Sequence, residues 1–224
     1  MSNPRQRNPG RQDDPHAPTV IIGRGEPPQQ AKAALVMLHG RGDSAEGILS
    51  LADVLDIAGY TLFAPEASGY EWYPYSFLAP LEQNEPWLSS ALKKVGSVLA
   101  QAEQAGIPAE RTVLLGFSQG ACLTLEYVAR NAHRYGGVLG LSGGLIGPEG
   151  APRDYSGSLA GTPVFLGCSD VDPHIPAARV RETATVLERL GADVTMRLYP
   201  GLGHAVNNDE VDEVNQILAA VRDH

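Results

Sequence analysis

The chain has 224 residues, 43% of them apolar and 19% charged, with a formal net charge of −9. That length suits one α/β domain with a full core. The acidic balance argues against nucleic acid or an anionic membrane surface as partner, and no apolar run approaches the length of a membrane span.

Met1 to Pro18 is polar, rich in Pro, Asn, Arg and Gln, and without the apolar stretch of a secretory signal. It is expected to be a flexible arm, since Pro4, Pro9 and Pro15 would break a helix. Residues 19–224 are expected to form a single domain. Thr19–Ile22 reads as a short opening strand and Ala33–Leu38 as a second, continuously apolar one. Ser44 can cap a helix reaching Ala58, with Leu51, Val54, Leu55 and Ala58 on one face and Gly59 ending it. Tyr60–Ala64 is the next strand. Asn84 can cap a long helix to Ala105, whose buried stripe runs from Leu88 through Val95 to Ala102 before Gly106 stops it.

Thr112–Phe117 is a strand, followed by helical spacing over Ala121–Ala129. Gly137–Leu141 and Thr162–Gly167 are strands, Pro176 to Leu190 a helix, and Asp193–Tyr199 a strand. Asn207 and Glu210 form a capping box for a last helix carrying Val211, Val214, Leu218 and Val221. Unalternating apolar strands separated by amphipathic helices indicate a mainly parallel sheet covered on both faces. Two connections, Pro65–Gln83 and Ser142–Gly161, are longer than such units need. The first carries Tyr70, Trp72, Tyr73, Tyr75 and Phe77 and leaves from the end of a strand where ligands bind in such sheets, so Trp72 and Tyr73 are candidates for a pocket wall. The two cysteines, Cys122 and Cys168, lie in apolar segments. They fit a reducing cytoplasm rather than a disulfide framework, and neither has metal-ligand neighbours.

Chemistry concentrates at Arg111–Cys122, RTVLLGFSQGAC. Gly116-x-Ser118-x-Gly120 between a strand and a helix is the pattern of a nucleophile elbow. Its sharp turn strains the serine backbone, and two glycines let strand and helix approach. A serine hydroxyl needs an adjacent base whose tautomer is fixed by a carboxylate. Of six histidines, His16 and His224 lie in terminal segments, His133 near a helix end, His174 in a loop and His39 upstream of the serine. His204 sits between a strand end and a helix cap, in a loop that Gly201 and Gly203 allow to curl inward. The carboxylate should follow the strand Thr162–Gly167, where Asp170 and Asp172 are both available; the residues alone do not separate them. Donors to a developing oxyanion contribute roughly 3–4 kcal/mol each. One should be the Gln119 backbone N–H, the other an N–H of the loop His39–Asp43.

The stretches LHGRGDS, GFSQGA, LSGG, DPHIP and GLGHAV resemble the phospholipase/carboxylesterase family, the small esterases of the α/β-hydrolase superfamily that include acyl-protein thioesterases. The resemblance runs from Leu38 to Val206, and with the elements between it covers about nine-tenths of the chain. It implies an α/β-hydrolase fold, Ser118 as nucleophile, His204 as base and Asp172 as the orienting acid. It also implies oxyanion donors at the backbone N–H groups of Gln119 and Arg41, in place of the leucine common at position 41. Family members are commonly cytoplasmic, need no cofactor or metal, and are often homodimeric. The expected activity is hydrolysis of carboxylic esters, extending to thioesters or lysophospholipids. No segment is long enough for a separate cap domain, which favours short to medium acyl chains in a small-molecule substrate and no stable membrane association. A lactone hydrolase or peptidase on the same fold, or a non-catalytic binding protein on a hydrolase scaffold, are the rival readings.

Overall fold

The computed structural model describes residues 14–223. Seven strands form one sheet in the order β1-β3-β2-β4-β5-β6-β7. They are β1 (Ile21–Gly25), β2 (Ala33–Leu38), β3 (Tyr60–Pro65), β4 (Thr112–Phe117), β5 (Gly137–Leu141), β6 (Pro163–Ser169) and β7 (Asp193–Tyr199). Only β1 runs antiparallel, against β3; every other pairing is parallel. This is the mainly parallel sheet that the pattern predicts and the α/β-hydrolase arrangement that the resemblance implies.

The two faces are visible within single strands. Along β2, Ala34, Val36 and Leu38 enter the core that α2 (Trp87–Gln104), α3 (Gln119–Arg130) and α4 (Ala177–Arg189) cover. Ala33, Leu35 and Met37 point the other way, toward α1 (Ala45–Leu49) and α5 (Asn208–Arg222). Alternate residues therefore enter different cores, both apolar, which is why the strand reads as unbroken apolar sequence. The parallel register brings the carboxyl ends of five strands to one rim: Leu38 pairs with Gly116, Phe117 with Leu141, Leu141 with Gly167, and Ser169 with Tyr199. Loops leaving that rim can meet although they are far apart in sequence. Among the described residues, no helix is long and apolar enough to cross a membrane.

Several boundaries differ from expectation for local reasons. The opening strand starts at Ile21, because Thr19 closes a turn instead, its hydroxyl donating to the His16 carbonyl at 2.8 Å. The helix expected to reach Ala58 is α-helical only to Leu49 and 3₁₀-helical to Val54, with Leu55 extended. Ser44 caps it as expected, accepting from the Gly47 N–H at 3.0 Å. Arg24 Nη1 donates to the Leu49 carbonyl at 3.0 Å, competing for the acceptor that the next α-helical turn would use. Asn84 does not cap α2. Pro86 excludes the preceding residue from helical backbone, and Glu85 is extended (φ −84°, ψ 147°), so the helix begins after it. At the other end of the chain Asn207 and Glu210 do form the reciprocal capping box of α5.

The arm differs as well. Residues 1–13 lie outside the described residues, but residues 14–18 form a turn packed on the domain. His16 is fully buried there, its Nδ1 accepting from the Ser68 N–H at 3.0 Å and its Nε2 donating to the Trp72 carbonyl at 3.0 Å. Asp14 adds hydrogen bonds to Ser90 and Lys93 on α2.

Candidate active site

β4 delivers Ser118 to the rim, and the turn into α3 holds it at φ 54°, ψ −120°. That conformation is rare for a residue with a Cβ and costs about 1–3 kcal/mol. The surrounding contacts enforce it. A Cβ on Gly116 would lie 2.3 Å from the Gly120 carbonyl oxygen, and one on Gly120 would lie 2.1 Å from the Leu38 carbonyl oxygen. The Ser118 N–H is tied to the Leu141 carbonyl at 2.9 Å. Only glycines at both positions let α3 turn back this sharply over β4 and β2.

His204 Nε2 lies 2.8 Å from Ser118 Oγ, and His204 Nδ1 lies 2.7 Å from Asp172 Oδ2. The imidazole rests on the Phe117 ring (centroids 5.0 Å apart) and meets His174 edge-on (4.9 Å). The Asp172 carboxylate is wholly buried, and its Oδ1 accepts the N–H groups of His174 (2.8 Å) and Ile175 (3.0 Å). Burial alone would raise this carboxyl's pKa. The hydrogen bonds from His204 and from those two N–H groups outweigh burial and hold it below the usual carboxylate range. It is therefore an anion that fixes His204 with Nδ1–H, leaving the Nε2 lone pair toward the serine.

Asp170, the other candidate, is turned away from the imidazole. Its exposed carboxylate accepts the Gly201 N–H at 2.9 Å, and Ser169 Oγ accepts that of Gly203 at 3.1 Å. These two residues brace the loop that presents His204. Sequence spacing could not tell the two aspartates apart, because both follow β6 within three residues; the direction of the turn decides.

Gln119 is the first residue of α3, where an N–H has no intrahelical acceptor. In the loop after β2, the Gly42 N–H is committed to the Tyr70 carbonyl (2.7 Å) and the Asp43 N–H to the Gly40 carbonyl (3.2 Å). Of Arg41–Asp43, Arg41 is the residue whose N–H is left for a ligand among the described residues. Gly40 lies against Ser118: a Cβ there would stand 3.4 Å from the serine Cβ. The two expected donors thus belong to the residue after Ser118 and to the residue after Gly40, which packs on that serine.

A cavity of about 440 Å³ opens beside Ser118 and His204, with Arg41, Tyr73, Phe77, Cys122, His174 and Ile175 among its lining residues. Trp72, expected as pocket wall, is not part of it. The indole is fully buried between His16 and His39 (ring centroids 5.5 and 5.0 Å), and its Nε1 donates to the His39 carbonyl at 2.9 Å. Trp72 anchors the loop from behind while Tyr73 faces the cavity. Cys122 is no rival nucleophile, since burial pushes its thiol pKa up to about 12. The second long loop supplies no lining residue; the Gly147 N–H instead holds the Phe77 carbonyl at 2.7 Å.

Sequence reasoning missed four contributors. His174 lines the cavity mouth, and nothing in a loop histidine's sequence signals that. Buried Asn84 ties the aromatic loop through the Tyr75 N–H (2.9 Å) and the Ser76 carbonyl (3.0 Å). Buried His39 accepts the Ala67 N–H at 3.1 Å, and His16 has the contacts given above. The polar composition around Asn84 was the one available hint. Among the described residues, no group of three or more His, Cys, Asp or Glu side chains is arranged to hold a metal ion.

The sequence profile described as phospholipase/carboxylesterase matches residues 21–222. The crystal structure of a phospholipase/carboxylesterase from Dyadobacter fermentans is 50% identical, covering 90% of this chain and 96% of that one with a TM-score of 0.87. Acyl-protein thioesterase 1 of Gibberella zeae is 35% identical over 131 residues; the match spans 54% of this chain and about half of that protein (53%). The namesake from Kluyveromyces lactis is 29% identical over 85% of this chain and 92% of its own. A match over nearly the whole described domain, on a sheet that brings the family's motifs to one rim, makes the chain a member of the phospholipase/carboxylesterase family.

Proposed function

We propose that the protein hydrolyses carboxylic esters, and thioesters of the same acyl groups, through Ser118. One observation carries the reading: the unbroken hydrogen-bond chain Asp172–His204–Ser118, at 2.7 and 2.8 Å, opening on the cavity. Ser118 Oγ attacks the acyl carbon as His204 Nε2 takes its proton, and Asp172 stabilises the imidazolium. The N–H groups of Gln119 and Arg41 receive the tetrahedral oxyanion. Collapse expels the alcohol or thiol, which takes the proton from His204, and leaves Ser118 acylated. Water then repeats the steps and releases the acid. Tyr73, Phe77 and Ile175 offer the acyl chain an apolar wall, with small-molecule esters as the substrate class. The thioester extension is supported by the names of the fungal relatives.

The test is Ser118→Ala with p-nitrophenyl butyrate and a fluorophosphonate probe. The variant should lose at least about 10⁴-fold in kcat and all labelling, with an unchanged melting temperature. Turnover at the wild-type rate would overturn the assignment.

A further inference from the structure

The Arg41 side chain has a task separate from its backbone. The half-exposed guanidinium folds onto the aromatic loop, where Nη1 donates to the Glu71 carboxylate and to the Pro74 carbonyl (3.0 Å). Nη2 donates to the Tyr73 carbonyl (2.7 Å) and the Tyr75 carbonyl (2.8 Å). All the Nη hydrogens are thereby used, three of them on consecutive carbonyls. A rigid fork bound in this way fixes the path of a backbone rather than the pose of one side chain. The exposed ion pair with Glu71 would by itself contribute little.

From inside the cavity, Gln119 grips the same stretch: Nε2 donates to the Tyr73 carbonyl at 2.8 Å, and Oε1 accepts the Trp72 N–H at 2.9 Å. The Tyr73 carbonyl thus receives both clamps. Arg41 and Gln119 are also the two residues whose N–H groups are proposed above to receive the oxyanion. The loop carrying Tyr73, a wall of the cavity, is therefore fastened directly to the two oxyanion donors.

We propose that the Arg41 guanidinium is a positioning residue that locks the 71–75 loop as a fixed acyl-pocket wall, in register with the oxyanion donors, and so sets acyl-length preference. The proposal rests on the ester-hydrolase reading above. It requires the fork and not just the charge, since a lysine ammonium is a point donor that cannot span three carbonyls and a carboxylate.

The experiment compares wild type, Arg41→Leu and Arg41→Lys on p-nitrophenyl acetate, butyrate and hexanoate, measuring kcat and KM separately alongside melting temperature and fluorophosphonate labelling. The rise in KM should grow with acyl length, from about threefold on acetate to about thirtyfold on hexanoate, with kcat changing far less. Arg41→Lys should behave like Arg41→Leu. Because it keeps the cation and the stem, it also keeps the length dependence measurable should the leucine variant not fold. Equal proportional losses at all lengths, or a lysine variant matching wild type, would overturn the proposal. Wild-type protein that neither turns over these esters nor labels at Ser118 is a different result, which removes the hydrolase reading itself.

Discussion

On one side of the cavity, Ser118 is held by its own neighbourhood: the strand before it, the helix after it and the glycines at positions 116 and 120. On the other side, Tyr73 and Phe77 stand on a loop with no regular hydrogen-bond ladder along the cavity wall. That wall is fastened by side chains from elsewhere: His16 and Arg41 upstream, Asn84 nearby, and Gln119 across the sheet rim. The first wall is encoded in a few adjacent residues and tolerates almost no substitution. The second is a set of separate side-chain-to-backbone tethers, each removable alone. Chemistry depends on the first, and acyl selection is expected to depend on the second.

The largest separation between the two walls should come from Asp172→Asn. The Oδ1 position is engaged by two backbone N–H groups, so the new amide nitrogen would face His204 Nδ1 and stabilise the wrong tautomer. kcat should fall by about 10⁴-fold at every acyl length, with KM nearly constant; a loss that varied with chain length would merge the two walls. Asn84→Ala acts on the other side. It leaves the Tyr75 N–H and the Ser76 carbonyl without their partner, at a cost of about 1–3 kcal/mol. Steady-state assays should give a KM about fivefold higher on longer esters and little change in kcat, and a drop confined to kcat would contradict the division.

The smallest effect concerns His16. Its Nδ1 accepts an N–H, so protonation there would set donor against donor, and burial lowers its pKa from a histidine's ordinary 6.5. Below pH 6.5 the unfolded chain takes up a proton that the folded chain refuses. Stability is therefore fully present above that pH and falls beneath it, by at most about 1.4 kcal/mol per pH unit until the folded-state pKa is passed. Thermal melts between pH 5 and 8 should show wild type losing more stability on acidification than His16→Phe, the contribution of buried Glu210, whose pKa is raised to about 7, being common to both. Identical slopes would mean that His16 is not a tether.

These two kinds of construction also explain what could be read from the residues. β2, β4 and β5 were legible to the residue because buried parallel strands leave an unbroken apolar signature. The bounds of β7 were read correctly too, although this edge strand is only partly buried and carries Asp193, Thr195 and Arg197. The cap of α5 was legible because both members of its box are three residues apart. The elbow pattern and His204 were legible for the same reason: backbone constraints written in adjacent glycines. Asn84 was misread as a cap because the exclusion imposed by Pro86 was not weighed against a favourable cap residue. His16 and Trp72 were misjudged because their roles depend on partners 56 residues apart, a separation at which sequence carries no periodicity. Arg41 was legible only as a backbone donor standing where leucine is common; its three carbonyl partners have no side-chain identity to betray its side chain's task.

The positive φ of Ser118 has a last consequence. At that single position the fold's durability and its usefulness are opposed. Glycine would relax the turn but would bring no nucleophile to it. The protein keeps a discomfort at the rim of its sheet that every other part must be sound enough to carry.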